Sequence, residues 1–303
     1  MDFFSEGVAL GAAAKRITGA LGVVPLIRFE QSQMTLLEMV ARTVGLLLVL
    51  FFGATIFAYA VQRMLIYYPQ SADLPAVESR AARDGLYPWR DSEGNFIGWR
   101  NRHGVGAPLV IFHGNAGHAL HRSYIIARLH DAGITPPIFI LEYPGYGARP
   151  GSPSEETLVR AALSAVDLIS EPVILLGESL GTGVACAVAA QRPDSIRGAL
   201  LITPFDSLTA VAKKHYPWLP VGLLLKDRYD SSRALQSVRV PLAIIVAEED
   251  VVIPAASGIR LFEAYSGPKK LWRVLGSGHN EVLQDISNSD LRAAYDFANT
   301  RSR

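Results

Sequence analysis

The chain has 303 residues, of which 50% are hydrophobic and 19% charged, and its mean hydropathy is +0.22. Its 29 Lys and Arg residues nearly balance its 28 Asp and Glu residues, so the net charge of +1 provides no global attraction to nucleic acid. The single cysteine, Cys186, excludes a disulfide framework, a cysteine zinc cluster and an iron–sulfur site.

An apolar segment near the N-terminus runs from Thr43 to Gln62, between Arg42 and Arg63. Tyr59 is its only ionisable side chain. At about 1.5 Å per residue, a helix of this length crosses the roughly 30 Å hydrocarbon core of a bilayer, and a helix satisfies its own backbone there. The sequence therefore predicts one transmembrane helix over residues 43–62.

This segment divides the chain into an N-terminal tail (1–42), the transmembrane helix and a single domain (63–303). A buried helix of a soluble protein is one alternative. A cleaved export signal is another, because residues 58–60 resemble a signal-peptidase site. An uncleaved single-pass anchor is favoured, since the apolar stretch is longer than a usual signal core. Basic residues flank it on both sides, so the side of the membrane stays open. Met34 is an alternative start to Met1.

Within the domain, short apolar runs alternate with helical patterns. Runs that are continuously apolar predict strands covered on both faces, and hence a largely parallel sheet. A predicted hairpin, residues 87–90 and 95–100 with a turn at 91–94, leads into that sheet. The predicted strands of the sheet are 109–112, 137–141, 173–176, 198–202, 242–247 and 271–275.

One crossover helix has clear boundary signals. The sequence Ser152-Pro153-Ser154-Glu155 fits a capping box with proline at the first helical position. An apolar face follows, and Pro172 ends it. Helices placed between parallel strands predict a doubly wound α/β sheet.

The strand over 173–176 enters the sequence Gly177-Glu178-Ser179-Leu180-Gly181, and a helix rich in small residues follows. The G-x-S-x-G pattern between a strand and a helix is typical of a nucleophile elbow, in which the glycines leave room around a strained serine. Ser179 is therefore the predicted nucleophile. Cys186, in the following helix, is interpreted as a small packing residue.

A serine hydroxyl needs a base and an orienting acid to become a good nucleophile. Asp250 follows one predicted strand and His279 follows the next, so both are expected at the carboxyl edge of the sheet, where ligand sites form. The chain order Ser179, Asp250, His279 is that of α/β-hydrolases. Glu249 and Asp206 are the alternatives for the acid.

The loop HGNAGH, residues 113–118, follows the first parallel strand. Acyl transfer places negative charge on the carbonyl oxygen, which calls for fixed N–H donors. The backbone N–H groups of Asn115 and Leu180 are the predicted pair. His113 is interpreted as supporting this loop rather than as the base.

Metal chemistry is not indicated. His118 and His121 lie in or beside the same loop, but no carboxylate motif stands at metal-ligand spacing from them. We expect surface or loop-packing roles for both histidines, and neither a metal nor another cofactor.

A lid-like segment is predicted over residues 205–235. Its apolar part, residues 216–225, is able to line an acyl channel or rest on lipid, and a helix packed on the core is the alternative. The candidate pocket residues are Tyr216, Trp218 and Leu219.

A set of short motifs occurs along the chain: HGNAGH (113–118), EYPGYG (142–147), GSPSE (151–155), GESLGTG (177–183), TPFDSL (203–208), YPWLPVGLLLKDRYDS (216–231), EEDVVIP (248–254) and SGHN (277–280). Together they resemble the membrane-anchored α/β-hydrolases related to the serine aminopeptidase family, whose animal relatives include protein depalmitoylases. The resemblance covers about residues 44–280. It implies Ser179 as nucleophile, Asp250 as acid and His279 as base. Ala148-Arg149 departs from the pattern, because relatives often place a serine there.

These observations predict a membrane-tethered serine hydrolase that cleaves carboxylic esters or thioesters through an acyl-enzyme. Because one fold hosts different reactions, an amide-cleaving, aminopeptidase-like enzyme with the same triad remains an alternative. An inactive membrane scaffold is less favoured, since all triad candidates and both elbow glycines are present. The expected partners are an acyl substrate, lipid-derived esters included, and the membrane, with no nucleic acid.

Overall fold

The computed structural model describes residues 34–300, so most of the predicted N-terminal tail, with the start at Met1, lies outside the described residues. The chain divides between Phe52 and Gly53 into two compact units. The second unit contains the carboxyl end of the first helix and the whole α/β domain.

The strands are β1 (Tyr68–Pro69), β2 (Leu86–Arg90), β3 (Phe96–Asn101), β4 (Leu109–Phe112), β5 (Ala116–Gly117), β6 (Ile138–Leu141), β7 (Val173–Glu178), β8 (Ile196–Ile202), β9 (Leu242–Ala247) and β10 (Lys269–Val274). The α-helices are α1 (Leu36–Ile66), α2 (Leu74–Arg83), α3 (Ser123–Asp131), α4 (Glu155–Asp167), α5 (Leu180–Gln191), α6 (Leu208–His215), α7 (Val221–Leu224), α8 (Ser231–Ala234), α9 (Ala255–Ala264), α10 (Val282–Asp285) and α11 (Asn288–Ala298). Short 3₁₀ turns cover Ala119–Arg122, Pro193–Ser195 and Leu235–Ser237.

Helix α1 extends beyond the apolar segment that predicted it, since it begins before Thr43 and ends after Gln62. Its start is fixed by a capping box. The Thr35 hydroxyl accepts from the Glu38 N–H at 3.3 Å, and the Glu38 carboxylate accepts from the Thr35 N–H at 2.9 Å. Among the helices within residues 34–300, α1 alone is long and apolar enough to cross a membrane, by length and composition.

The main sheet has eight strands in the order β2-β3-β6-β4-β7-β8-β9-β10. From β6 to β10 every neighbouring pair is parallel, and β3 runs antiparallel to both β2 and β6. The predicted hairpin and the mostly parallel α/β sheet are confirmed. The separate pair β1 and β5 forms a small parallel sheet.

Central strands match their predictions better than the edge strand does. Both ends of β4 and β9 agree with the sequence, and both strands are buried along their length. The predicted strand 271–275 was wrong at both ends, because β10 runs from Lys269 to Val274 and Leu275 lies outside it. Among the strands of residues 34–300, β9 is the single partner of β10, which is therefore an edge strand. Exposed and half-exposed residues interrupt its apolar pattern.

The predicted start of α4 was wrong by two residues. Ser154 is the N-cap and Thr157 completes the capping box, rather than Ser152 with Glu155. The Thr157 N–H donates to the Ser154 hydroxyl at 3.1 Å, and the Ser154 N–H donates to the Thr157 hydroxyl at 2.9 Å. Pro153 packs instead against the turn at Gly145, where an added Cβ would lie 2.9 Å from the proline ring.

Helices cover both faces of the sheet. Successive β4 residues, Val110 and Ile111, belong to two different buried clusters. The first cluster receives side chains from α4, α5 and α9, and the second from α3 and α11. Burial on both faces explains the continuously apolar strands.

Candidate active site

Ser179 lies in a strained turn between β7 and α5. Its φ of 52° and ψ of −118° are rare for a residue with a side chain. A Cβ on Gly177 would lie 2.7 Å from the Gly181 carbonyl oxygen, and a Cβ on Gly181 would lie 2.0 Å from the Phe112 carbonyl oxygen. Backbone crowding on both sides therefore requires glycine at both positions.

The structure brings Ser179, His279 and Asp250 into one hydrogen-bonded row. His279 Nε2 lies 3.0 Å from Ser179 Oγ, and His279 Nδ1 lies 2.6 Å from Asp250 Oδ2. A carboxylate oxygen only accepts, so Nδ1 carries the proton and Nε2 is left to accept from the serine hydroxyl. Such a row can move a proton from the hydroxyl to the ring.

Asp250 is held by its own loop. Its Oδ1 accepts from the N–H groups of Val252 at 2.8 Å and Ile253 at 2.7 Å, which leaves Oδ2 for the imidazole. The two carboxylates predicted as alternatives to Asp250 make other contacts. Asp206 forms an ion pair with Arg260 at 2.9 Å, and Glu249 contributes a backbone bond to Ser277 at 3.0 Å.

Leu180 and Asn115 present backbone N–H groups near the elbow. Leu180 is the first residue of α5, so its N–H has no acceptor within the helix and lies at the positive end of the helix dipole. The Asn115 carbonyl accepts from the Tyr68 N–H at 2.9 Å and the Tyr146 hydroxyl at 2.7 Å, and its side chain donates to the Ile66 carbonyl at 3.0 Å. These bonds hold both the carbonyl and the side chain of Asn115, and so fix the position of this residue in the loop.

Glu178 is a site residue that sequence reasoning missed. Its Oε2 accepts from the Gly114 N–H at 3.1 Å and from Arg122, and its Oε1 accepts from the Tyr124 hydroxyl. Burial lowers the pKa of Arg122, but the attraction of Glu178 outweighs it and the net shift is upward. The sequence signal that could have identified Glu178 is a charged residue placed between an apolar strand and the elbow serine.

His113 is fully buried inside the loop rather than bonded to Ser179. Its Nδ1 lies 2.8 Å from the Gly114 carbonyl, and its Nε2 lies 3.7 Å from Glu142 Oε1 without a hydrogen bond. Burial lowers the pKa of His113 well below its ordinary value and raises the pKa of Glu142 to about 8. Burial therefore favours the neutral form of both groups over a buried ion pair.

The predicted pocket residues follow α6 in the lid-like segment, which contains α6, α7 and α8. Tyr216 and Trp218 are exposed, at 48% and 59%, and Leu219 is half-buried. Within residues 34–300, no hydrogen bond or ion pair joins these three side chains to the Ser179–His279–Asp250 row. A bond of 2.9 Å between His215 Nε2 and the Val252 carbonyl does join the end of α6 to the Asp250 loop.

Within the described part of the chain, no group of three or more His, Cys, Asp or Glu side chains is arranged to hold a metal ion. The rings of His118 and His121 stack with centroids 3.7 Å apart. Cys186 is buried in α5, and burial raises the pKa of its thiol to about 12, as suits a packing residue.

Residues 105–229 match the serine aminopeptidase S33 family of hydrolases. An uncharacterized protein of Mycobacterium tuberculosis is 36% identical over 241 residues, which cover 76% of this chain and 84% of that protein. The chain belongs to the S33 family. A lysophosphatidylserine lipase of Danio rerio is 28% identical to this S33 chain over 229 residues, covering 66% of it and 57% of the lipase.

Solved structures confirm the α/β-hydrolase fold of this S33 chain. An α/β-hydrolase from Penicillium sp. sh18 aligns with a TM-score of 0.55 and 18% identity, covering 70% of this chain and 96% of that one. Est1E from Butyrivibrio proteoclasticus, solved with ferulic acid bound, aligns with a TM-score of 0.52 and 16% identity, covering 70% and 92%.

Proposed function

We propose that this S33 hydrolase is anchored in a membrane by α1 and cleaves carboxylic esters or thioesters through an acyl-enzyme on Ser179. The observation that carries the proposal is the hydrogen-bonded row, with 3.0 Å from Ser179 to His279 and 2.6 Å from His279 to Asp250. No cofactor takes part in this chemistry.

In the first half-reaction, Ser179 Oγ attacks the substrate carbonyl carbon while His279 Nε2 takes the hydroxyl proton. The carbonyl oxygen becomes an anion, which the N–H groups of Asn115 and Leu180 stabilise. His279 then gives its proton to the departing alcohol or thiol, and the acyl group stays on Ser179. Asp250 holds the ring tautomer and stabilises its charged form.

In the second half-reaction, water replaces the leaving group. His279 takes a proton from the water as its oxygen attacks the acyl carbon, and the same N–H donors stabilise the new oxyanion. The bond to Ser179 breaks, Oγ recovers the proton from His279, and the carboxylic acid leaves. The enzyme is returned to its starting state.

Exposed apolar side chains near the Asp250 loop favour an acyl or lipid-derived substrate. Val251 and Val252 directly follow the acid, and Trp218 lies in the segment joined to that loop through His215. Leu223, in α7, is 85% exposed. Large contiguous apolar patches on a protein surface mark contact with a ligand or membrane, and we take these side chains as the candidate patch. The lipase of Danio rerio among the relatives supports the same substrate class.

A substrate panel tests the reaction class. Full-length protein in nanodiscs should hydrolyse p-nitrophenyl acyl esters and acyl thioesters faster than aminoacyl p-nitroanilides, and Ser179→Ala should abolish all turnover. Faster Ser179-dependent cleavage of the anilides would establish the amide-cleaving alternative. A folded wild-type protein that turns over none of these substrates would identify a scaffold.

A fractionation experiment tests the anchor. The expressed chain should stay in the membrane pellet after alkaline carbonate extraction, with an intact mass that includes residues 43–62. Release into the supernatant, or a mature N-terminus beyond residue 60, would contradict an uncleaved anchor.

A further inference from the structure

The chain segment that leaves α1 contacts the supports of both proposed oxyanion donors. This exit segment, residues 62–69, contains the last turn of α1 and strand β1, and it lies in the same compact unit as Ser179, His279 and Asp250. A membrane tether requires only a covalent link between the helix and the domain. Noncovalent contacts between the exit segment and the site are therefore not explained by tethering alone.

The first set of contacts reaches the Asn115 loop. The last carbonyl of α1, that of Ile66, accepts from the Asn115 side chain at 3.0 Å, and the Tyr68 N–H donates to the Asn115 carbonyl at 2.9 Å. β1 then pairs in parallel with β5, which places Tyr68 opposite Ala116 and Pro69 opposite Gly117. The loop that carries the first donor is therefore the strand partner of the exit segment.

The second set of contacts is a polar cluster with the residues after α7, in which Arg63 is half exposed and its partners are buried. Arg63 binds both oxygens of Asp227, with Nε at 3.0 Å and Nη2 at 3.2 Å. The Tyr67 hydroxyl donates to Asp227 at 3.1 Å, and it therefore accepts from the Tyr229 hydroxyl at 3.0 Å. Asp227, Tyr67 and Tyr229 are all buried. Bidentate guanidinium–carboxylate bonds fix orientation as well as distance.

Tyr229 connects this cluster to α5, the helix whose first residue, Leu180, is the second proposed donor. A Cβ on Gly183 of α5 would lie 2.9 Å from Tyr229 Cβ, so the tyrosine packs directly on the first turn of the helix that begins at Leu180. The φ of Tyr229 is 40°, an unfavourable value for a residue with a side chain, and surrounding contacts must hold it.

We infer that the exit segment is a positioning element of the oxyanion hole. Arg63 and Tyr67 are positioning residues that act through Tyr229 on the helix of Leu180, and the backbone of Ile66 and Tyr68 positions the Asn115 loop. The inference rests on the proposed function. Preorganised donors contribute most to acyl transfer when they need no rearrangement, so a small displacement of either N–H weakens transition-state binding more than substrate binding. Turnover thus depends on the end of the anchor itself.

The test uses full-length protein in nanodiscs with a soluble p-nitrophenyl ester. Arg63→Met removes the bidentate pair, and the milder Tyr67→Phe removes one hydroxyl. Matched controls are Arg83→Met, at an exposed site in α2, and Tyr87→Phe, in β2. Because loss of one oxyanion donor costs about 10² to 10³ in turnover, a displaced donor should lower kcat roughly tenfold while KM changes less than about twofold.

Two further readouts separate positioning from folding. The inhibition constant of a trifluoromethyl ketone, which mimics the tetrahedral intermediate, should rise in proportion to the loss in kcat/KM. The fraction of protein that a fluorophosphonate finally labels should equal that of wild type. Unchanged kcat in both variants, or a loss explained entirely by a smaller labelled fraction, would overturn the inference. Wild-type protein without labelling or turnover would instead refute the proposed function.

Discussion

The carboxylate of Glu178 accepts a hydrogen bond from the backbone N–H of Gly114 at 3.1 Å. This bond joins the residue before the elbow serine to the residue before Asn115. Arg122 also donates to Glu178, and it reaches the Ala116 carbonyl at 3.2 Å on the other side of the loop. The largely buried Arg122–Glu178 ion pair therefore fixes the distance between the elbow and the loop of residues 113–118.

Glu178→Gln should lower both stability and kcat. The amide keeps the shape of the side chain but leaves the Arg122 guanidinium without a charged partner, which for a buried pair costs about 3 kcal/mol. Thermal unfolding and ester turnover measure the two effects, with Glu171→Gln, at an exposed position, as the control. Wild-type values of both quantities would show that the loop does not depend on this pair.

Asp250→Asn should lower kcat by about 10³ to 10⁴, because an amide in place of Oδ2 favours the wrong imidazole tautomer. KM should change little, since the side chain faces His279 rather than the substrate. The neighbouring Glu249→Gln is the matched control and should stay within about twofold of wild type, as befits an exposed carboxylate outside the row. Similar losses in both variants would contradict the assignment of the acid.

Gly181→Ala should destabilise the protein by about 3 kcal/mol or more, because the new methyl group would meet the Phe112 carbonyl at 2.0 Å. Gly222→Ala, in α7, is the control, since its Cβ would meet only the flexible end of Lys213 at 3.5 Å. Thermal unfolding of both variants provides the comparison. A Gly181 variant as stable as the control would mean that the turn adapts.

Glu142 predicts a pH dependence of stability. Burial raises its folded pKa to about 8, against an ordinary value of 4.5. Below pH 4.5 both the folded and the unfolded state hold the proton, so its contribution is fully present. As the pH rises towards 8, the unfolded chain releases the proton first, and on the order of a few kcal/mol of stability is lost.

Glu142→Gln removes this titration but keeps an oxygen that can accept from the Ala119 N–H, as Glu142 Oε1 does at 2.9 Å. The melting temperature of the variant minus that of wild type should therefore increase steadily between pH 5 and pH 8. A difference that stays constant over this range would show that the Glu142 carboxyl ionises in the folded state at its ordinary pKa.

The sequence predicted the parts of the site that depend on local pattern. Ser179 was predicted because an elbow needs glycines at fixed spacing. Asp250 and His279 were predicted because parallel strands end at one edge of the sheet. The contacts between distant segments were not predictable. Arg63 and Asp227 lie far apart in the chain and have no shared motif, so only the fold brings them together.

Burial was the second property that sequence pattern could not supply. EYPGYG was recognised as a motif, but nothing in it indicated that the Glu142 carboxyl would be buried at 1% exposure. In the apolar segment 216–225 the reverse holds, because apolar residues are exposed. Its hydrophobicity is compatible with a helix packed on the core, whereas Trp218 and Leu223 are exposed to solvent.

The most direct test of the account asks whether His279 makes Ser179 reactive. Wild-type protein, His279→Ala and Ser179→Ala are treated with a fluorophosphonate, and the adducts are located by peptide mass spectrometry. We expect one adduct, on Ser179 of the wild-type chain, with labelling slowed by about 10³ or more in His279→Ala and absent in Ser179→Ala. An adduct on another residue, or equally fast labelling without the imidazole, would contradict the account.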